Sequence, residues 1–124
     1  MANAAPVFVI AAKNSPASEL SREQVARIYL GIPVFIESTK LSGIDYPDET
    51  EMHEKFRETI LRKNAVQLKQ YWTRLIFSGK AKPPEDLSDE KEMVATVRKY
   101  PHVIGYVYNK SLTAQVKVIG VFEL

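Results

Sequence analysis

A chain of 124 residues has the length of one domain, enough to bury about two-thirds of the surface its unfolded form exposes. Its 17 Lys and Arg face 15 Asp and Glu for a net charge of +2, and no block of five or six basic residues occurs. A nucleic-acid or lipid-headgroup surface is therefore not expected, and no nucleic acid is counted among the partners. Zero cysteines exclude disulfides, thiol catalysis and Cys-based metal sites together.

Ala2-Asn3-Ala4 before Ala5-Pro6 is the small-x-small pattern that ends a secretory signal peptide. Residues 1–5 thus read as a residual signal junction or expression start, and 6–124 as the folded domain. A periplasmic or secreted protein is expected. No run approaches the ~18 apolar residues of a membrane helix.

Pro6 to Lys13 is short, β-branched and apolar on both faces, as in a strand buried within a sheet. Asn14 to Ser18 is a turn. Ser21 and Gln24 form a capping box, Val25, Ile28 and Tyr29 follow at helical spacing, and Gly31 stops the helix. Val34–Ile36 and Lys40–Asp45 are candidate short strands. Asp48 is the expected cap of a second helix striped by Met52, Phe56 and Ile60. Asn64 with Gln67 opens a third, carrying Val66, Leu68, Tyr71, Trp72, Leu75 and Ile76 to a stop at Gly79. After a Pro-Pro loop (80–87), Ser88 is the expected cap of a fourth helix, with Met93, Val94, Val97 and Tyr100 inward. His102–Tyr108 and Val116–Phe122 are closing strands, the latter apolar on both faces. Strands at both ends with helices between predict a three-layer α/β/α domain around a mixed sheet.

Chemistry-bearing patterns are sparse. A serine nucleophile needs a base held against it, and the two histidines, His53 and His102, lack a G-x-S-x-G elbow. His53 stands between charged neighbours and is expected to face solvent. Ser78-Gly79-Lys80 follows a helix instead of opening one, so it cannot form a phosphate cradle; Gly79 is simply a helix terminator. Asp45, Asp48, Glu49, Glu51 and Glu54 cluster at a helix start, where the dipole already favours acids, without calcium-loop spacing. Tyr71 and Trp72 point about 100° apart and suit core packing. A non-enzyme with no cofactor and no metal is the expectation.

Four stretches in order carry a resemblance. Leu20 to Gly31 (LSREQVARIYLG) is similar to the L-x-x-x-x-L-A-x-I-F-L-G segment of phosphate-type ABC-transporter substrate-binding proteins. Phe56 fits the phenylalanine after their ligand loop. Tyr71 to Lys80 (YWTRLIFSGK) resembles a YW-x-x-x-I-F-x-G-K signature of small single-domain relatives, and Tyr100 to Val107 (YPHVIGYV) resembles x-P-G-x-I-G-Y-V. The resemblance spans Pro6 to about Leu112 and implies one lobe, the second, of a type II periplasmic-binding fold, in which two α/β lobes close on a ligand. In that family an R-x-D-x-S-G-T loop holds phosphate; counted back from Phe56, its positions are Tyr46, Asp48, Thr50, Glu51 and Met52. Asp48 and Thr50 persist in kind, Thr50 standing where the serine would be, whereas the arginine, the serine-glycine pair and the last threonine do not, and Glu49 and Glu51 add negative charge. Asn14, Ser15, Tyr46, Asp48 and Thr50 are the candidate ligand-binding residues. The resemblance implies an exported solute-binding-like domain, with a small oxyanion and a membrane transporter or sensor as partners. The alternative on the same scaffold is an interaction or sensor module that no longer binds phosphate, including one that pairs with itself as a homodimer.

Overall fold

The structure, a computed structural model, describes residues 6–123; the Ala2-Asn3-Ala4 junction lies outside the described residues. In chain order it contains β1 (Pro6–Ala11), α1 (Arg22–Tyr29), β2 (Phe35–Ile36), β3 (Thr39–Lys40), β4 (Ser42–Gly43) and α2 (Glu51–Phe56). A π-helical turn (Arg57–Leu61) comes next, then α3 (Ala65–Phe77), α4 (Glu90–Lys99), β5 (Val103–Val107), a 3-10 turn (Lys110–Thr113) and β6 (Lys117–Glu123).

The main sheet has the order β4-β5-β1-β6. β1 runs antiparallel to both β5 and β6, and β4 runs parallel to β5, so the sheet is mixed. β5 is buried at every position and β1 at all but Pro6, which requires cover on both faces. α4 supplies one cover: a Cβ on Gly105 would run into Met93 Sδ and lie 2.9 Å from Val97 Cγ2. The next residue along β5 points the other way, and there the Tyr106 ring stacks on Phe56 at 3.9 Å with Tyr29 edge-on at 5.9 Å. Helices thus lie on both sides of the sheet, giving the three layers that the element order predicts.

Local sequence explains most of the boundaries. Ser21 with Gln24 and Asn64 with Gln67 form reciprocal capping boxes, each satisfying two orphan donors of a helix start. Gly31 adopts φ +75° just past α1, with the Trp72 ring 3.0 Å from where a Cβ would stand. β2 and β3 form a hairpin whose Glu37 and Ser38 both have positive φ, as a type I′ turn requires. The second expected strand, 40–45, is split between this hairpin and β4.

Several expectations are corrected. Thr50, not Asp48, caps α2: its Oγ1 accepts from His53 N at 3.3 Å, while the Asp48 carboxylate turns to the His53 ring. Asp89, not Ser88, caps α4, accepting from Glu92 N at 2.9 Å. Tyr100 is exposed, because α4 ends at Lys99 and Tyr100 has extended backbone. β6 is an edge strand, so Val118 and Val121 face outward instead of being covered on both sides. On α3 only Leu68 and Trp72 of the apolar stripe are buried; Val66 and Ile76 are exposed.

Candidate functional site

The chain between β4 and α2 is fastened to the Pro-Pro loop by backbone bonds, Asp45 N to Glu85 O and Leu87 N to Asp45 O, both 2.9 Å. This sets the Asp45 carboxylate beneath the surface. Its Oδ1 accepts from Tyr46 N at 2.8 Å and from the Tyr106 hydroxyl, and lies 3.1 Å from His53 Nδ1. Tyr46 in turn donates its hydroxyl to Tyr106 O at 2.6 Å. Burial holds the Tyr46, Tyr106 and Tyr108 hydroxyls well above the ordinary phenol pKa, with nearby acids adding to the effect, so all three stay neutral donors.

His53 is 3% exposed, contrary to the solvent-facing expectation. It lies three residues before Phe56, and both are turned to the inside of α2. Its Nε2 lies 3.5 Å from Asp48, whose side chain is 92% exposed. At Nδ1 the Asp45 oxygen is at ion-pair distance but off-angle, so no well-formed hydrogen bond results. Burial alone would lower the His53 pKa; the Asp45 contact and the charges of Asp45 and Asp48 outweigh it, Arg57 opposes them, and the result is raised. A raised pKa favours imidazolium near neutral pH.

One turn on, Arg57 is only 7% exposed. It donates Nε to Lys63 O at 3.1 Å and holds Nη2 3.6 Å from Glu58. Arg57 and His53 line a cleft of about 480 Å³ together with Lys69, Trp72 and Thr73 of α3 and with Pro83 and Pro84. The volume is that of a small-molecule site. The lining combines three basic side chains (His53, Arg57, Lys69) and three carboxylates (Asp45, Asp48, Asp86) with apolar residues that include Leu68 and Trp72, and two of the carboxylates lie against His53 itself.

Of the residues singled out from sequence, Tyr46 and Asp48 line this cleft, and Thr50 stands beside them at the start of α2. Thr50 Oγ1 is already engaged, donating to Pro47 O at 2.7 Å. Asn14 and Ser15 are not brought to the same place. They come after the end of β1 that pairs with Ile104 and Lys117, whereas Tyr46 bonds at the level of Tyr106. Ser15 Oγ accepts from Ala17 N at 3.1 Å, and its carbonyl accepts from Lys117 Nζ at 2.7 Å. Sequence reading missed His53, Arg57, Lys69 and Thr73 as a set. Their signal was two i,i+4 pairs, which place side chains on one helical face.

Among the described residues no group of three or more His, Asp and Glu is arranged to hold a metal ion. No described helix is long and apolar enough to cross a membrane.

The chain matches no protein-family model, and no curated protein matches its sequence. Solved structures do share its architecture. An ABC-type phosphate transport receptor from Vibrio cholerae superposes with a TM-score of 0.71 at 14% identity, over 95% of this chain and 47% of that one. PstS from Borrelia burgdorferi gives 0.67 at 12% identity, over 96% and 49%. A phosphate ABC transporter substrate-binding protein from Clostridium perfringens, solved with bound phosphate, gives 0.66 at 17% identity, over 95% and 46%. The chain therefore spans about half the length of each. At such identities the likeness speaks for the fold alone: this chain is built as one lobe of the phosphate-transporter type of substrate-binding protein.

Proposed function

We propose that this chain is a solute-recognition lobe acting outside the cytoplasm, and that its cleft takes a small solute bearing an oxyanion, with phosphate the first candidate. The observation that carries the reading is the convergence of His53, Arg57, Lys69 and Thr73 on one cavity in a fold shared with transport receptors. The Arg57 guanidinium and the Lys69 ammonium are the donors an oxyanion needs, and a charged His53 adds attraction, while the Thr73 hydroxyl donates to Lys69 O at 2.8 Å. Asp45 and Asp48 play a different part, since they keep His53 charged instead of meeting the anion. The protein binds and does not catalyse: the His53 ring is flanked by carboxylates at both nitrogens, which leaves it poorly placed to serve a nucleophile. A membrane transporter or sensor is the proposed downstream partner.

Calorimetric titration with phosphate, and with sulfate at about pH 6 and pH 8, tests this. Sulfate keeps the same charge over that range, so its binding should be tighter at the lower pH, where His53 carries its proton, and His53→Gln should remove the difference. Silence at millimolar concentrations of every oxyanion would overturn the reading.

One observation favours a second reading, a recognition module without an oxyanion. The hydroxyls of Tyr46 and Thr50 are both committed to backbone carbonyls, so the loop that should hold phosphate has given its donors to its own fold.

A further inference from the structure

One stretch of the chain is basic throughout, and α3 presents part of it on one surface. From residue 62 to 82 there are six Lys and Arg and no Asp or Glu, whereas 45 to 58 holds six Asp and Glu. Four of the cations, Arg62, Lys63, Lys69 and Arg74, line an open groove of about 720 Å³ with two glutamine amides and the Thr73 hydroxyl between them and no carboxylate. We propose that this groove binds an acidic segment of a protein partner, an interaction beyond the solute recognition assigned to the cleft.

The backbone that carries the cations is held by the fold. The corner that carries Arg62 and Lys63 is pinned from inside by Arg57, whose Nε bonds Lys63 O, while Lys63 N returns to Arg57 O at 3.4 Å. Arg62 itself sits at φ +55°, the left-handed region, which a residue with a Cβ adopts only at a cost that the surrounding structure must offset. The π-helical turn before it and the Asn64 capping box after it fix both approaches. Lys63 Nζ lies 5.3 Å over the Tyr71 ring. Along α3, Lys69 with Thr73 and Gln70 with Arg74 are i,i+4 pairs, so donors repeat one helical turn apart on one face. From Gln67 to Arg74 the helix advances roughly 10 Å, the reach of about three residues of extended peptide.

An acidic peptide suits this shape best. Carboxylates on such a strand can take charge-assisted bonds from Lys and Arg, with the glutamine amides left for its backbone. Single-stranded nucleic acid draws on free aromatic faces, and here the Tyr71 ring lies under Lys63, its hydroxyl donates to Leu30 O at 2.6 Å, and Trp72 is buried. A membrane surface meets a flat or convex basic face more readily than a groove.

Fluorescence anisotropy with labelled hexaglutamate, at low salt where charge attraction is least screened, tests the assignment. Saturable one-to-one binding is expected. The pair Arg62→Asn and Arg74→Gln, Asn being chosen because it tolerates the left-handed region, should weaken it about tenfold or more. The pair Lys13→Gln and Lys40→Gln removes the same charge from exposed sites outside the groove and should bind as the parent does, and circular dichroism confirms that both variants fold. Equal weakening by the two pairs overturns the proposal, as does absence of binding at low salt. Tighter binding of a DNA oligonucleotide or of phosphatidylglycerol vesicles, lost in the Arg62/Arg74 variant, also overturns it. Neither Arg62 nor Arg74 lines the oxyanion cleft, so failure here leaves the cleft reading standing, and the converse.

Discussion

At the scale of single residues, the chemistry of this protein turns on a buried aspartate that organises its neighbours. Asp45 Oδ1 is approached by a backbone amide, the Tyr106 hydroxyl and the His53 ring, so its charge is compensated where an isolated buried carboxylate would not be tolerated. His53 gains from the pairing, and its pKa is raised in the fold. A group that binds its proton more tightly when folded stabilises the fold while that proton is on in both states. The contribution is complete below the unfolded histidine pKa and fades as pH rises through the folded one. The melting temperature should therefore fall from about pH 6 to pH 8 by more in the parent than in His53→Gln, with NMR titration of the His53 ring giving a pKa above the ordinary histidine range. Equal pH profiles, or a ring titrating below that range, would contradict the assignment. None of this was legible in the sequence, where His53 stands among Glu51, Glu54 and Lys55 and looks solvated. Its Nδ1 meets Asp45, eight residues back, which Tyr106 in turn bonds from 61 residues further along the chain.

At the scale of elements, local chemistry was legible wherever it was local. The Ser21–Gln24 and Asn64–Gln67 boxes close as their spacing dictates. The cap of α2 was not, because Asp48 and Thr50 are both good caps and only the His53 contact decides between them. Thr50→Ala should cost about 1 kcal/mol in chemical denaturation. Asp48→Asn should cost less, since an exposed ion pair contributes little; the reverse order would put the cap at Asp48. The π-helical turn was invisible in sequence, since Phe56 and Ile60 keep the i,i+4 spacing of an α-helix through it. Gly105 in β5 shows an opposite constraint, a strand position that needs no side chain because α4 lies against it. Gly105→Ala should destabilise by about 1–3 kcal/mol through overpacking against Met93 and Val97. A neutral effect would mean that α4 can shift without cost.

At the scale of the whole molecule, the fold was the most legible feature. The ordered segments around Leu20–Gly31, Tyr71–Lys80 and Tyr100–Val107 each place a core residue: Tyr29 and Tyr106 against Phe56 on one face, Trp72 over Gly31 at the side. Assembled, they make the half-clamp architecture shared with the phosphate receptors. The site was less legible. The loop at 46–52 was found by counting from Phe56, but the donors beside it come from the π-helical turn and α3, which only the folded chain brings together. The most direct measurement is amide and side-chain NMR during a phosphate titration. An oxyanion cleft predicts saturable shifts centred on His53, Arg57, Lys69 and Thr73. Shifts confined to Asn14 and Ser15, or none at millimolar phosphate, would contradict it.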